Sequence, residues 1–433
     1  MSSLLERKIM KLITTIILMA IATAIGWQAG AQTYDTNNVV VQTFAGSGFS
    51  GYLDGQGTQT MFNEPLAIVA DTSSNLFVID YGSSPRIRKI TPDGTVTTFA
   101  GGGIYGIPGY GTNVAFANSV AITMTIDHSN TLYLMNYNTG TSMLRVGSDG
   151  YVSNIPLTGL SGGSGLRSGL CVDSGNNIYI SDTSGNKIYR YRTNGVLEVF
   201  AGSGNAGSLD GNGVFTSFSN PSALAADTAD NIYVCDANQL IRKINQNRDV
   251  VTIAGNLNDT DSDGFGTNAS FYLVSGICAD GFGNLYLACF SPSAGNSIRK
   301  MTATTNVTTL AGSFTQYGYA NGIGSLARFN GGGDEGICFS QGMIFLADAF
   351  NYRIRQISFN PSSQVVSSAN LQLNTYPGLQ IIGTVGRTYQ IQTSPDIASW
   401  TTRATLLLTS SPFLWIDQNP VSGNKFYRAV LLP

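Results

Sequence analysis

NLFVID (75–80), TLYLMN (131–136), NIYISD (177–182), NIYVCD (231–236), NLYLAC (284–289) and MIFLAD (343–348) are six copies of one pattern: apolar, aromatic, apolar, usually ending on Asp. Behind each comes a second element, RIRKI (86–90), MLRV (143–146), KIYRY (187–191), LIRKI (240–244), SIRKM (297–301) and RIRQI (353–357). A third, TFAG, stands at 43–46 and 98–101. It returns as NIPL (154–157), VFAG (199–202), TIAG (252–255) and TLAG (309–312). The period is roughly fifty-five residues, the size of one four-stranded propeller blade with generous loops. Such a unit cannot bury its faces alone, so the copies must stack.

Each copy divides into four strands. The first is AIVAD (67–71) and its equivalents ALAAD (223–227) and GICAD (276–280). A turn rich in Asp, Ser, Gly and Asn leads to the NLFVID strand, then to RIRKI, the turn TPDG (91–94) and TVTTFAG (95–101). Apolar residues face both ways in the first two strands, as in a sheet sandwiched between neighbours. A TFAG-type strand at 39–46 precedes the first unit, and none follows RIRQI. The N-terminal strand is therefore expected to complete the sixth blade, leaving no large unpaired edge. The fold class that follows is all-β: a six-bladed β-propeller closed by an N-terminal strand, plus a small C-terminal β-sandwich-like module.

Composition agrees. Of 433 residues only 11% are charged, while Gly contributes 51, which suits short strands and tight turns. The net charge of −3 argues against a nucleic-acid partner, which needs clustered Lys and Arg. Arg7, Lys8 and Lys11 precede an apolar run from Leu12 to Ile25 and the small residues Ala29-Gly30-Ala31. That is the layout of a signal peptide over 1–31, with a retained anchor as the alternative, and it points to export. The propeller is expected over 32–360 and the second module over 361–433, after the linker NPSSQVVSSAN (360–370). The segment YQIQTSPDIASW…FYRAVLLP looks like a small module appended to secreted bacterial proteins, with Trp400 and Trp415 in its core. Of five Cys, three (Cys171, Cys278, Cys338) share a repeat column with Val69 and Ala225, and Cys235 and Cys289 end second strands. Buried thiols are expected, not a disulfide framework or a metal site.

Over residues 39–360 the chain resembles the NHL-repeat family of six-bladed propellers. The NLYVAD-like, RIRK-like and TxAG-like elements carry the resemblance, together with DGxG…F insertions between blades. These are DGQG (54–57) with Phe62, DGNG (210–213) with Phe218 and DGFG (263–266) with Phe271; NGIG (321–324) with Phe329 and PGYG (108–111) with Phe116 are weaker copies. The third copy lacks the insertion and the FAG. The fold hosts many roles, so function must be read from a site.

Catalytic chemistry has little to stand on. A related propeller, the peptide-amidating lyase, holds zinc with several His, whereas this chain has one, His128, in the turn IDHSNTLY. Gly159-Leu160-Ser161-Gly162-Gly163 matches GxSxG without a strand-to-helix elbow or a His base. Asp259, Asp261 and Asp263, followed by Gly264, resemble the start of a calcium loop, but Ser270 stands where the bidentate acid belongs. Calcium there is the single cofactor candidate, against a plain acidic loop. The Asp column (Asp80, Asp182, Asp236, Asp348) and the Arg column (Arg88, Arg242, Arg299, Arg355) recur from blade to blade. Catalytic groups would be unlike residues meeting at one place, so local bonds that fix turns are the expectation for both columns.

Strand direction alternates, so inter-blade connections emerge on the side of the turns between second and third strands. That side is expected to carry the DGxG loops and the candidate ligand-binding residues Tyr52, Tyr81, Tyr110, Tyr137, Tyr319, Phe350 and Tyr352. Asp54, Asp210, Asp263, Asp334 and Glu335 are their acidic neighbours. Tyr offers large contact area and a hydroxyl at little cost in side-chain entropy. The expected function is an exported, non-catalytic binding or scaffold propeller recognising a glycan, a peptide or an envelope protein on this face. A calcium-assisted hydrolase or lactonase with acidic ligands in the tunnel is the alternative, and a structural surface-layer role is the third. A tunnel lined by repeated small residues favours binding; several unlike Asp, Glu or Asn side chains converging there favour the enzyme.

Overall fold

In a computed structural model of the chain, the described residues run from 39 to 359, except 117–119, 137–141, 162–168, 238, 259, 292–294 and 334. They resume over 372–432, except 375–377, 382–383, 385, 395–398, 409–412 and 417–425. The expected signal peptide and linker lie outside them. Contacts group the chain into two units, Met1–Phe359 and Asn360–Pro433.

Six antiparallel sheets make up the first unit; in the first five the four main strands are ordered as in the chain. The first blade is Pro65–Ala70, Leu76–Asp80, Arg86–Ile90 and Thr95–Gly101. The sixth takes three strands from the end of the unit, Ile337–Ser340, Met343–Asp348 and Arg353–Phe359, and its outer strand from the beginning, Val39–Ala45. Val39 pairs with Phe359, Val41 with Ile357 and Thr43 with Arg355. Val39, Val41 and Ala45 are fully buried by this closure. The chain therefore forms a closed six-bladed propeller, as its order of repeats requires.

The core lies between blades. Ile79, Ile87 and Ala100 of the first blade pack with Met124, Leu134 and Leu144 of the second. Phe345 and Ala347 of the sixth pack with Ile68 and Val78 of the first. Both faces of each inner strand are used, which is why those strands read as near-continuous apolar runs.

The TFAG element has a local physical cause. In the first blade the register between the third and outer strands shifts by one residue between Ile87 and Arg88. Similar shifts occur in blades three, four, five and six. This bulge sends the Ala of the motif (Ala45, Ala100, Ala201, Ala254, Ala311) into the core, each fully buried. The following Gly has positive φ, +99° at Gly46 and +93° at Gly255, and a Cβ there would lie 2.4 Å from the Tyr352 carbonyl or 2.1 Å from that of Gln239. Blade two, with Asn154-Ile155-Pro156-Leu157 in place of the motif, has an unshifted register.

All five Cys are buried free thiols. Cys171, Cys278 and Cys338 share their column as read from the sequence, opposite Tyr179, Tyr286 and Phe345. The described residues of the second unit form two three-stranded sheets with an apolar cluster of Tyr389, Ile391, Leu408 and Ala429. Trp400 there lies under the Arg428 guanidinium, 4.2 Å from its ring centroid; the Trp415 side chain lies outside the described residues. Among the described residues no helix is long and apolar enough to cross a membrane.

Candidate binding site at the tunnel mouth

The repeated Asp and Arg tie the inter-blade loops to the second and third strands of their blades. Arg88 is fully buried and donates to Asp80 Oδ2 (2.8 Å), Asp54 Oδ1 (2.6 Å) and the carbonyls of Met61 (2.9 Å) and Leu53 (3.1 Å). Arg242 repeats this set with Asp236, Asp210, Ser217 and Leu209, and Arg355 with Asp348, Asn321, Arg328 and Ala320. The Phe of each DGxG…F insertion lies against the guanidinium: Phe62 at 5.0 Å from Arg88 and Phe218 at 5.2 Å from Arg242. In Arg88, Arg242 and Arg355 the two Nη groups thus reach one strand-end carboxylate, one loop carboxylate or amide, and two carbonyls, while the buried Nε–H has no partner. Asp182, whose blade carries Tyr189 in place of Arg, accepts N–H bonds from Ser161 and Gly185 instead.

The same logic explains the calcium-like string. Blade five has Cys289 where blades one, three, four and six carry the strand-end Asp. Asp261 takes over its work: it accepts the Tyr272 N–H (3.1 Å) and stands 4.0 Å from Arg299. In blade one Asp80 likewise accepts the Asn63 N–H (2.5 Å), and Asn63 follows Phe62 as Tyr272 follows Phe271. Asp263 is the ordinary loop partner, accepting from Arg299 (2.9 Å) and from the Thr309 N–H (2.9 Å) and hydroxyl. The cation facing Asp261 and Asp263 is therefore Arg299; Asp259 lies outside the described residues.

The DGxG loops do not form the rim expected of them. Each leaves its outer strand and clips the next blade at the outer circumference. The Gly46 N–H bonds to the Gly57 carbonyl, and the Gly57 N–H to the Gly94 carbonyl in the far turn of blade one. Gly111 with Gly150, Gly213 with Arg248, and Gly266 with Thr305 repeat the second bond, each at 2.9 Å. Gly55–Gln56, Gly109–Tyr110 and Gly264–Phe265 add a short fifth strand to the blade. Tyr110 accordingly stands on the outer wall, its ring 4.8 Å from that of Tyr151 and tilted to it by 55°, and Phe265 is its counterpart in blade five. Loop length was visible in the sequence; loop course, set by backbone bonds between blades, was not.

Other predicted residues are engaged in packing. Tyr52 accepts hydrogen bonds from Asn63 and the Ser84 N–H and lies under Arg86 at 3.7 Å. Tyr319 bonds to Thr43 and lies under Arg353 at 3.8 Å. Tyr81 is half-buried, with its N–H on the Glu64 carbonyl. Tyr352 is half-buried and left-handed at φ 52°. Tyr137 lies outside the described residues. Phe350 differs: it is 52% exposed, and a Cβ on Gly332 would fall 2.4 Å from its ring.

Phe350 thereby packs at Gly332, in the loop whose Gly333 and Glu335 line a central cavity of about 480 Å³ bounded by the innermost strands of all six blades. Glu335, just before the innermost strand of blade six, lines it and is almost fully buried. Glycine makes room for it, since a Cβ on Gly331 would overlap its side chain. Ser275 donates to Glu335 Oε2 (2.6 Å) and the Asn296 amide to Oε1. Ser275 precedes Gly276 on blade five as Glu335 precedes Gly336 on blade six, so two equivalent positions meet at the seam between adjacent blades. Burial pushes the Glu335 carboxyl up to about 7, with Asp348 adding to the rise against the bonds from Ser275 and Asn296. His128 lies in an exposed turn and bonds to Asn176 of the next blade through Nδ1 (2.8 Å). Asp334 lies outside the described residues.

No protein-family profile and no curated protein matches the chain. Solved structures do. A structural-genomics protein of unknown function from Bacteroides thetaiotaomicron is 21% identical with a TM-score of 0.58, over 74% of this chain and 76% of that one. An auxiliary nutrient binding protein from the same species is 17% identical at a TM-score of 0.54, covering 74% and 76%. Another from Bacteroides ovatus is 16% identical at 0.55, covering 74% and 77%. These likenesses show the fold, and the fold alone.

Proposed function

We propose that this chain is an exported, non-catalytic binding propeller of the NHL type, whose ligand engages the tunnel mouth beside Phe350. The tunnel wall carries this reading. Ala67, Thr123, Gly169, Ala223, Gly276 and Gly336 form one ring of it, and Val69, Cys171, Ala225, Cys278 and Cys338 lie in the next. Among its described lining residues Glu335 is the single carboxylate, whereas a hydrolytic metal site calls for several acidic ligands. A concave cavity with a few placed polar groups, here Ser222, Ser275 and Glu335 among small side chains, is the usual form of a small-molecule site. Two auxiliary nutrient binding proteins share this architecture, so binding is a role it accommodates. Export rests on the basic start and apolar run over 1–31.

A thermal-shift screen of sugars, amino acids and short peptides tests the proposal, with hits titrated by calorimetry. Phe350→Ala should weaken a hit at least about fivefold, the loss of more than ~1 kcal/mol expected for an anchoring aromatic. Phe265→Ala, on the outer wall, should leave it unchanged. Binding that responds to Phe265 and not to Phe350, or that maps to the C-terminal unit, would contradict the proposal.

A further inference from the structure

We propose that the tunnel mouth takes a protonated amine, with the Glu335 carboxylate and the Ser275 hydroxyl of its wall as acceptors. This rests on the binding reading above and names the ligand chemistry.

Glu335 and Asn296 are 2% and 3% exposed, and none of the ion pairs among the described residues involves Glu335. The nearby cations are committed elsewhere, Arg355 to Asp348 and Arg299 to Asp263. A buried carboxylate without a counter-charge is costly, so a cation placed against it binds strongly. The Asn296 amide nitrogen is used on Glu335, while its oxygen is buried without any donor. The site therefore offers acceptors and lacks donors. An ammonium is the complement, with three donors and no acceptor. A divalent metal fits less well, because it needs six or more oxygens and no group of three acidic, His or Cys side chains occurs among the described residues. Apolar wall residues such as Leu273, Ile277 and Ile337 suit an alkyl stem.

Two other titratable groups face Glu335. Asp348, on the second strand of blade six, is held by Arg355, and Cys289, on the second strand of blade five, is a thiol pushed up to about 12 and so neutral. Glu335 itself, pushed up to about 7, changes charge in the accessible range while an alkylamine stays protonated. Amine affinity should therefore rise with pH until Glu335 is ionised and then level.

The experiment is calorimetric titration of the purified protein with n-hexylamine and with n-hexanol, its uncharged counterpart, from about pH 5.5 to about pH 8.5. Hexylamine should bind at least about 30-fold tighter than hexanol at the upper end, the range for a buried charge pair. The preference should shrink about 30-fold at the lower end, where one Glu335 in roughly thirty is ionised. Glu335→Gln should abolish both the preference and its pH dependence; a melting temperature at or above the parent's at alkaline pH confirms that the variant is folded. Equal binding of the two probes, or a preference that survives Glu335→Gln, overturns the amine assignment while leaving a binding cavity. Failure of both probes also overturns it, and the parent reading is then decided by the Phe350→Ala titrations, which leave Glu335 untouched.

Discussion

Deleting residues 33–46 is expected to leave no cooperatively folded, soluble propeller. The segment supplies the outer strand of blade six, buries Val39, Val41 and Ala45, and pairs on one side with Arg353–Phe359 and on the other with Gly322–Ile323. Each fully buried aliphatic side chain is worth roughly 1.5–3 kcal/mol. The deletion also bares Phe329 and Ile357, which pack in the same cluster. The summed loss is comparable to a typical net stability of about 5–15 kcal/mol. The exposed strand edge is in addition a template for aggregation. Expression, size-exclusion chromatography and thermal unfolding would decide it. A soluble deletion variant with an unchanged melting temperature would refute ring closure by this strand.

The second large effect is expected for Arg88→Ala. Removing one partner of a buried pair typically costs about 3–5 kcal/mol, because the other charge stays buried. Here Asp80, as fully buried as Arg88, loses its cation, and the carbonyls of Met61 and Leu53 lose their donors. For a unit of more than 300 residues, with an unfolding entropy of about 0.7 kcal/mol/K, the melting temperature should fall by roughly 4–8 °C. The molecule itself suggests the rescue: blade two carries Leu144 at the Arg position and Asn136 at the Asp position. Arg88→Leu combined with Asp80→Asn should therefore recover a substantial part of the loss. A change of less than about 1 kcal/mol in Arg88→Ala would show that the pair contributes little beyond its neighbours.

The sequence was a good guide wherever one blade repeats another. Six strand motifs in phase, and a spare TFAG ahead of the first, were enough for the number of blades and the closing strand. The Asp and Arg columns were also readable as structural, since the same residue recurring in four of the six blades cannot form one asymmetric site. A second Asp column was less visible. Asp71, Asp173, Asp227 and Asp280 each accept N–H bonds from the turn that follows them, for example Asp71 from Ser73 and Asn75. Its signal was the recurrence of Asp four residues before Asn in those turns.

Features made by contacts between blades were not legible. The DGxG loops turn away from the rim because of backbone bonds such as Gly57 to Gly94, which no side-chain pattern announces. The buried role of Glu335 was hidden for a similar reason. Within GGGDEG (331–336) it reads as an exposed loop acid, and its partners Ser275 and Asn296 lie 60 and 39 residues away. Tyr52 and Tyr319 illustrate the converse: aromatic residues in polar loops were read as ligand platforms, yet each lies beneath an Arg of its own scaffold.

The central claim, that ligand binds at the Phe350 end of the tunnel, is most directly tested by hydrogen–deuterium exchange with the tightest hit of the ligand screen. Protection is predicted in peptides covering 331–336 and 349–352, with the far turns at 71–75, 173–177 and 227–231 unchanged. Protection confined to those far turns, to the outer-wall loops at 54–60 and 263–269, or to residues 372–432 would contradict the account.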